Sequence, residues 1–410
     1  MRGRISALVW ALSAVLLTVS LVLYPRAAVE SAKEGLSLFL NVVFPSLLPF
    51  FILSDILLAL GVVHFIGVLF EPLMRPLFNV PGEGAFVLSM GLAAGYPMDA
   101  VITSRFRKTG MCTRVEGERM LAFSNTADPL FIFGAVAVGM FSMPALGKTM
   151  AMAHYIGALL VGLLFRFYGL RDPERTPERR HQGNILRRAV AALVRAREED
   201  GRSFGQILGD AVSESIKTLW SICGFIVLFA TVVKIVEVAG IFPVLAAPLE
   251  RLFALVGLDP SLVRAAVIGL FEIDLGTLAA SQAPASLVQQ VAVAGAIVAW
   301  SGFSVHGQVA SVLTDTDIRM GPYVLARLAH AVFAFVATLW FMRSTSTAGW
   351  DGVLPAVGDF ALGLAQPDFW TVLLRGLGWA AALPLGLTLL GGAAAILTGG
   401  LRWVGFHTRR

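Results

Sequence analysis

Gly91-Leu92-Ala93-Ala94-Gly95-Tyr96-Pro97-Met98-Asp99-Ala100 cuts an apolar stretch, Ala85 to Thr103, in two. Gly95 frees the backbone there and Pro97 removes an amide donor. A chain entering a bilayer at this point cannot continue as one regular helix. The pattern predicts a re-entrant hairpin that enters and leaves by the same face. Hydrocarbon tolerates such a break only where protein or a water-filled cavity satisfies the freed backbone. A second stretch, Leu262 to Ala280, is cut in the same way by Glu272-Ile273-Asp274-Leu275-Gly276.

The rest of the chain supports a membrane setting. Of its 410 residues, 57% are hydrophobic and 14% charged, against roughly 25% charged in a soluble domain. A membrane helix needs about 20 apolar residues. Candidate spans are Ile5 to Leu23, Leu36 to Leu60, Leu121 to Met143, Met150 to Phe167, Leu219 to Val238, Val288 to Val312, Val324 to Met342 and Leu377 to Leu397. The first could be confused with a signal peptide. It is longer than a 7–15-residue signal core, and Tyr24-Pro25-Arg26 follows it, so it reads as an uncleaved span. The net charge of +5 comes from basic residues between apolar stretches, without the aromatic interleaving of a nucleic-acid binder. Cys112 and Cys223 stand far apart, which argues against a metal or redox pair. There is no Walker loop, GxSxG or HExxH, so no catalytic constellation, and nothing calls for a cofactor.

Charge placement sets the orientation. Arg2 and Arg4 put the N-terminus inside. With both broken stretches as hairpins, Arg105, Arg107, Lys108, Arg114 and Arg119 stay inside, as does Arg171 to Arg202 with nine arginines against six acids. Arg251 and Arg264 fall outside. Within the basic segment, Ile185, Leu186, Ala189, Val190, Leu193 and Val194 recur at helical spacing. They suit a helix on the membrane surface or a solvated linker helix equally well.

The two halves share a plan. Leu60-Gly61, Glu71-Pro72-Leu73, Asn79-Val80-Pro81 and Gly91-Leu92 parallel Ala239-Gly240, Ala247-Pro248-Leu249, Leu258-Asp259-Pro260 and Gly269-Leu270. Ala122-Phe123-Ser124-Asn125 parallels Ala299-Trp300-Ser301-Gly302. Three crossings and one hairpin per half make the second copy inverted, the plan of many secondary transporters. The expected fold is therefore all-α, with inverted repeats, broken helices and re-entrant hairpins. Its segments are an N-terminal span (1–30), a first repeat (31–170), a cytoplasmic linker with an amphipathic helix (171–203), a second repeat (204–343) and an extension with one span (344–410).

Polar residues inside membrane segments mark the candidate site, because they are costly there and tend to face a cavity. Gly95, Tyr96, Pro97 and Asp99 form one cluster, with Arg105 spaced to pair with Asp99. Ser124, Asn125, Thr126 and Asp128 precede Pro129, after which a resumed helix would aim amides at an anion. Ser301 and Ser304 occupy the equivalent place in the second half. Glu272 and Asp274 are candidates for a coupling ion, and His306 for a proton relay. Each cluster also has a plainer reading as capping or surface polarity. Lys234 is spaced either to snorkel or to pair with Glu237.

Asn41-Val42-Val43-Phe44-Pro45-Ser46-Leu47-Leu48-Pro49-Phe50, Glu71-Pro72-Leu73-Met74-Arg75-Pro76-Leu77-Phe78-Asn79-Val80-Pro81-Gly82, Gly95-Tyr96-Pro97 and Pro129-Leu130-Phe131-Ile132 resemble the sporulation integral membrane protein YlbJ (SpoVV) family. That family carries the Gate, or nucleoside recognition, domain. The resemblance is strongest over Leu36 to Phe167, and the chain departs from the expected pattern at Asp99 and Asp128. It implies a nucleoside-transporter-like fold and a secondary-type transporter moving dipicolinic acid across the outer forespore membrane. Its expected partners are a small-molecule anion, membrane lipid, and a coupling proton or cation; a homo-oligomer is compatible with the plan. The alternatives are a carrier of nucleosides or another small metabolite, and a non-transporting scaffold of spore formation.

Overall fold

The computed structural model describes residues 2–177 and 184–344, and every regular element among them is helical. Helix α1 covers Arg2–Leu23. A first set follows. Helix α2 (Pro25–Leu38) runs through a π-wound turn, Phe39–Val43, into α3 (Phe44–Ala59), and α4 (Val62–Leu73) comes next. Helices α5 (Gly84–Ala94) and α6 (Met98–Lys108) form a hairpin. Helix α7 (Arg114–Ser124) breaks and resumes as a π-wound segment, Phe131–Met140, and α8 (Ala145–Phe165) closes the set. Helix α9 (Ile185–Asp200) links the sets. The second set repeats the order: α10 (Phe204–Val238), α11 (Phe242–Val256), the hairpin α12 (Leu262–Phe271) and α13 (Ile273–Gln282), the broken pair α14 (Leu287–Trp300) and α15 (Gly302–Leu313), and α16 (Met320–Ser344).

Lengths explain how these elements meet a bilayer. Among the described residues five helices are long and apolar enough to cross: Pro25–Ala59, Ala145–Phe165, Phe204–Val238, Leu287–Leu313 and Met320–Met342. The hairpin arms have 10 or 11 residues. At 1.5 Å per residue each arm spans about 16 Å, half of a hydrocarbon core about 30 Å thick. They reach the middle and must turn back. With the broken helix counted as a crossing, each set makes three, an odd number, and the second set is inverted.

Local chemistry sets the boundaries. The span expected from Leu36 begins earlier, at Pro25, because proline at the first helical position lacks only an amide that has no partner there. Its π-wound turn precedes Pro45, whose ring nitrogen cannot donate; Phe44 N donates instead to Phe39 O, five residues back. The span expected from Leu219 begins at Phe204, fixed by a capping box between Ser203 and Gln206. Thr113 and Glu116 form the same box ahead of α7. Pro72 lies near the end of α4 and Pro248 near the middle of α11.

Helix α9 packs on α4 through buried Ala189 and leaves Leu186, Val190 and Val194 exposed in one stripe. Arg107 makes a two-pronged contact with Asp317 at 2.7 and 2.8 Å, Lys108 meets Asp315 at 3.0 Å, and Arg319 meets buried Glu118 at 2.8 Å. The first two pairs fasten the open end of the first hairpin to the α15–α16 connection, and the third fastens α7 to it. The residues expected to form the final span, Leu377 to Leu397, and the rest of the extension beyond residue 344 lie outside the described residues.

Each hairpin tip packs against the break in the helix that follows it in the same set. In the second set the contact falls on Gly302, whose φ is +70°. A Cβ there would lie 3.0 Å from Phe271 O and 3.1 Å from Glu272 Cα. Gly302→Ala is therefore expected to destabilise the fold by about 1–3 kcal/mol through backbone strain, read as a lower melting temperature in detergent. Gly209→Ala, in an open stretch of α10, should leave melting unchanged or raise it; equal loss in both variants would contradict the tip contact.

Candidate cargo site between the repeats

The first break is held from both sides. Helix α7 ends at Ser124, and its last carbonyls need donors. Arg327, on α16 of the second set, supplies them. It is fully buried, donates from Nη2 to Ala122 O at 2.6 Å, and also donates to Asn125 O. A cation at a helix C-terminus also suits the helix dipole. Where the chain resumes, Leu130 N and Phe131 N donate to Asp128 Oδ1 at 2.9 and 2.8 Å. The break is bracketed by a positive group on its carbonyl end and a negative group on its amide end.

Further bonds fix this arrangement. Asn125 Nδ2 donates to Asp99 Oδ1 at 2.9 Å, Ser124 Oγ donates to Asp99 Oδ2 at 3.2 Å, and Tyr323 Oη donates to Asn125 Oδ1 at 2.9 Å. Ala127 N donates to His154 Nε2 at 3.0 Å, and Tyr155 Oη donates to Ala127 O at 3.0 Å. His330 Nε2 lies 2.8 Å from His154 O, which can only accept, so that nitrogen carries the proton. His330 Nδ1 then accepts from Arg327 at 3.1 Å. Thr126 is buried with its hydroxyl 3.4 Å from Ser124 O.

The second set offers its hairpin tip and break to the same region. Glu272 Oε2 accepts from Leu275 N at 2.8 Å and caps α13. Asp274 Oδ1, Thr277 Oγ1 and Ser304 Oγ are buried without hydrogen-bond partners. Ser301 holds the left-handed turn between α14 and α15, with φ +69°. Tyr96, at the first hairpin tip, donates from Oη to Val298 O of α14 at 3.0 Å and ties the two sets together.

A cavity of about 70 Å³ lies where these pieces meet. One wall is polar: Tyr96, Asp128, Glu272, Asp274, Ser304 and Gln308. The other is apolar and comes from α3 and α10 through Leu47, Phe51, Ile222 and Phe225. The lining holds three carboxyl groups and no lysine, arginine or histidine. Among the described residues no three His, Cys, Asp or Glu side chains gather closely enough to share one metal ion.

The expected site residues therefore separate. Tyr96, Asp128, Glu272, Asp274 and Ser304 share the cavity. Asp99, Ser124 and Asn125 form an adjoining buried cluster rather than part of the lining. Gly95 and Pro97 shape the tip. His306 sits off the cavity, its Nδ1 2.7 Å from Gly302 O and its ring 4.4 Å from that of Trp300. Two expectations are corrected. Arg105 is exposed and makes no pair with Asp99; α6 carries it two turns from the tip, and the buried cation beside this cluster is Arg327. The amides after Pro129 are not open to an anion, because Asp128 caps them itself.

Arg327, His330 and His154 escaped the sequence reading. Their spans, Val324 to Met342 and Met150 to Phe167, look plainly apolar by average. An arginine three residues from a histidine inside such a span was the available signal, since intramembrane ionisable groups rarely lack a structural or transport role.

These features define a polytopic α-helical membrane protein with two like-ordered sets of helices and a polar cavity between them. Comparison with known proteins places it further. The family model described as "Gate: Nucleoside recognition" matches residues 40–159. The sporulation integral membrane protein YlbJ of Bacillus subtilis (strain 168) is 44% identical over 380 residues, covering 91% of this chain and 92% of that protein. The chain belongs to the YlbJ family of sporulation integral membrane proteins. Solved structures of CNTnw also match: an inward-facing substrate-bound state and an intermediate state of a single-residue variant each cover 84% of this chain, and 86% and 87% of their own chains, at 15% identity and a TM-score of 0.48.

Replacing Arg327 by Ala strips the donors from two buried carbonyls. Each buried acceptor left without a partner costs about 1–3 kcal/mol, so Arg327→Ala should melt well below the wild type in detergent. Arg327→Lys should fall between them, having one ammonium where the guanidinium made several bonds. A wild-type melting temperature for the alanine variant would contradict the assigned role.

Proposed function

We propose that this protein is a secondary-type transporter that carries dipicolinic acid, a small aromatic dicarboxylate, across the outer forespore membrane during sporulation. The observation that carries the reading is the polar cavity between the repeats, walled by broken backbone on one side and smooth apolar helices on the other. Membership of a sporulation membrane family supplies the setting. Discontinuous helices of inverted repeats at mid-membrane depth are the usual form of a carrier site.

The size of the cavity indicates a closed state. A water needs about 10–15 Å³ of such volume, so 70 Å³ holds a few waters and not an aromatic ring. Admitting cargo requires the apolar wall of Leu47, Phe51 and Phe225 to draw back from the polar wall. A dianion facing Asp128, Glu272 and Asp274 would be repelled by like charge. Transport of dipicolinate therefore brings a proton or a cation with it, taken at these carboxyls. Asp274 Oδ1 and Ser304 Oγ, having no protein partners, are the groups free to bond cargo.

The acidic lining supports a second reading. A neutral, hydrogen-bonding solute such as a nucleoside would meet no charge conflict there. Liposomes separate the two. Purified protein should accumulate labelled dipicolinate, faster with an inward proton gradient, and uridine should not compete. Asp274→Asn should lower the flux at least about tenfold, while Arg105→Ala should retain it. Competition by uridine would favour the second reading, and absence of flux for any solute would favour a scaffold.

A further inference from the structure

A second cleft lies between the outer ends of α2 and α10 and the α12–α13 hairpin. Its volume is about 300 Å³, the lower bound of small-molecule pockets and far larger than the midplane cavity. Its polar lining is Ser31 and Glu34 from α2, Lys234 and Glu237 from α10, Arg264 from α12 and Gln282 from α13.

The two clefts share helices. Phe225 of α10 lines the inner one and Lys234 the outer, nine residues or about 14 Å further along the same helix. Asp274 and Gln282 of α13 stand in the same relation, about 12 Å apart. The charge-derived orientation puts the larger cleft on the outer face.

Its charges are unevenly satisfied. Arg264 Nη2 donates to Glu237 Oε1 at 2.5 Å. Lys234 Nζ is 3.7 Å from Glu237 Oε2, beyond hydrogen-bond range, and its ammonium has no hydrogen bond among the described residues. One carboxylate thus serves two cations, and only one of them closely. The Glu237–Arg264 pair is also the ionic tie between α10 and the second hairpin.

We propose that this cleft is an oxyanion-binding vestibule. A carboxylate or phosphate group seats between Lys234 and Arg264, using the idle ammonium donors and taking Glu237's place on the guanidinium. Arginine accepts such a group bidentately, and lysine adds a point charge. Occupation of the vestibule loosens the hairpin from α10, because the exchanged contact is the one that joins them.

The ligand chemistry has two sources, a free dicarboxylate and a lipid headgroup phosphate. The first rests on the transport reading; the binding site itself does not. The test uses the full chain in phosphatidylcholine nanodiscs, titrated calorimetrically with pyridine-2,6-dicarboxylate and separately with inorganic phosphate. Saturable binding is expected. Lys234→Gln and Arg264→Gln should each weaken it about tenfold. Glu237→Gln should tighten it about fivefold, since it removes the internal competitor. Lys217→Gln, in the first half of α10, well removed from the cleft, and paired with Glu214 at 2.6 Å, should bind as the wild type does.

A parallel titration in nanodiscs containing phosphatidylglycerol identifies the source. If the anionic lipid blocks the free anion, and Lys234→Gln relieves lipid retention in native mass spectrometry, the occupant is a headgroup and the oxyanion site stands. Weaker binding in Glu237→Gln, or no Lys234-dependent binding of either anion or lipid, overturns the proposal. Loss of flux with binding intact counts against the transport reading alone.

Discussion

Broken backbone inside hydrocarbon must find its partners within the protein, and the rest of this structure is arranged around that need. An unpartnered amide or carbonyl in the membrane costs several kcal/mol. Among the described residues the chain breaks at four mid-membrane points, two hairpin tips and two interrupted helices. It meets the cost by placing each tip against the break that follows it. Gly91 in α5 lies so close to this contact that a Cβ would fall 2.2 Å from Ser124 O, and one on Gly302 would fall 3.0 Å from Phe271 O at the second tip. Glycine is what permits backbone to approach backbone there.

The carboxyl groups follow from the same constraint. Asp128 and Glu272 point into the cavity, yet each also accepts amide bonds at a helix start. They are capping residues first, and their availability to cargo is limited by that use. Asp274 differs: one of its oxygens is buried and unbonded. Asp99 is spent on Ser124 and Asn125. Equal-looking acids in the sequence thus divide by what their neighbours ask of them.

That division explains what the sequence could and could not disclose. Gly95-Tyr96-Pro97 and Glu272-Ile273-Asp274 reveal their breaks locally, because proline, glycine and intramembrane acids are exceptions to an apolar background. The repeat was legible because Pro72 and Pro248, or Ser124 and Ser301, recur in order. Arg105 misled because spacing along a helix says nothing of which way the helix leads; it runs outward to the aqueous end. Arg327 was hidden by averaging over an apolar span. Its partners, Ala122 O and Asn125 O, lie some 200 residues away and are backbone atoms, which carry no letter in the sequence.

The distribution of hydrogen bonds also indicates where the molecule can shear. Tyr96 joins the first hairpin to α14, Arg327 joins α16 to the first break, and Arg107 and Lys108 join the hairpin's open end to the α15–α16 connection. Each set holds the other's break, so hairpins, broken helices, α8 and α16 are stitched into one body. Across the cavity, α3 and α10 present Leu47, Phe51, Ile222 and Phe225, which offer no directional bonds. Polar ties between this wall and the stitched body are few among the described residues; they include Arg264 with Glu237 and Ser54 Oγ with Ala93 O. Sliding along an apolar face breaks few hydrogen bonds, whereas separating the repeats would expose several buried polar groups at once. Motion that admits cargo is therefore easier between the stitched body and the α3–α10 wall than between the two repeats themselves.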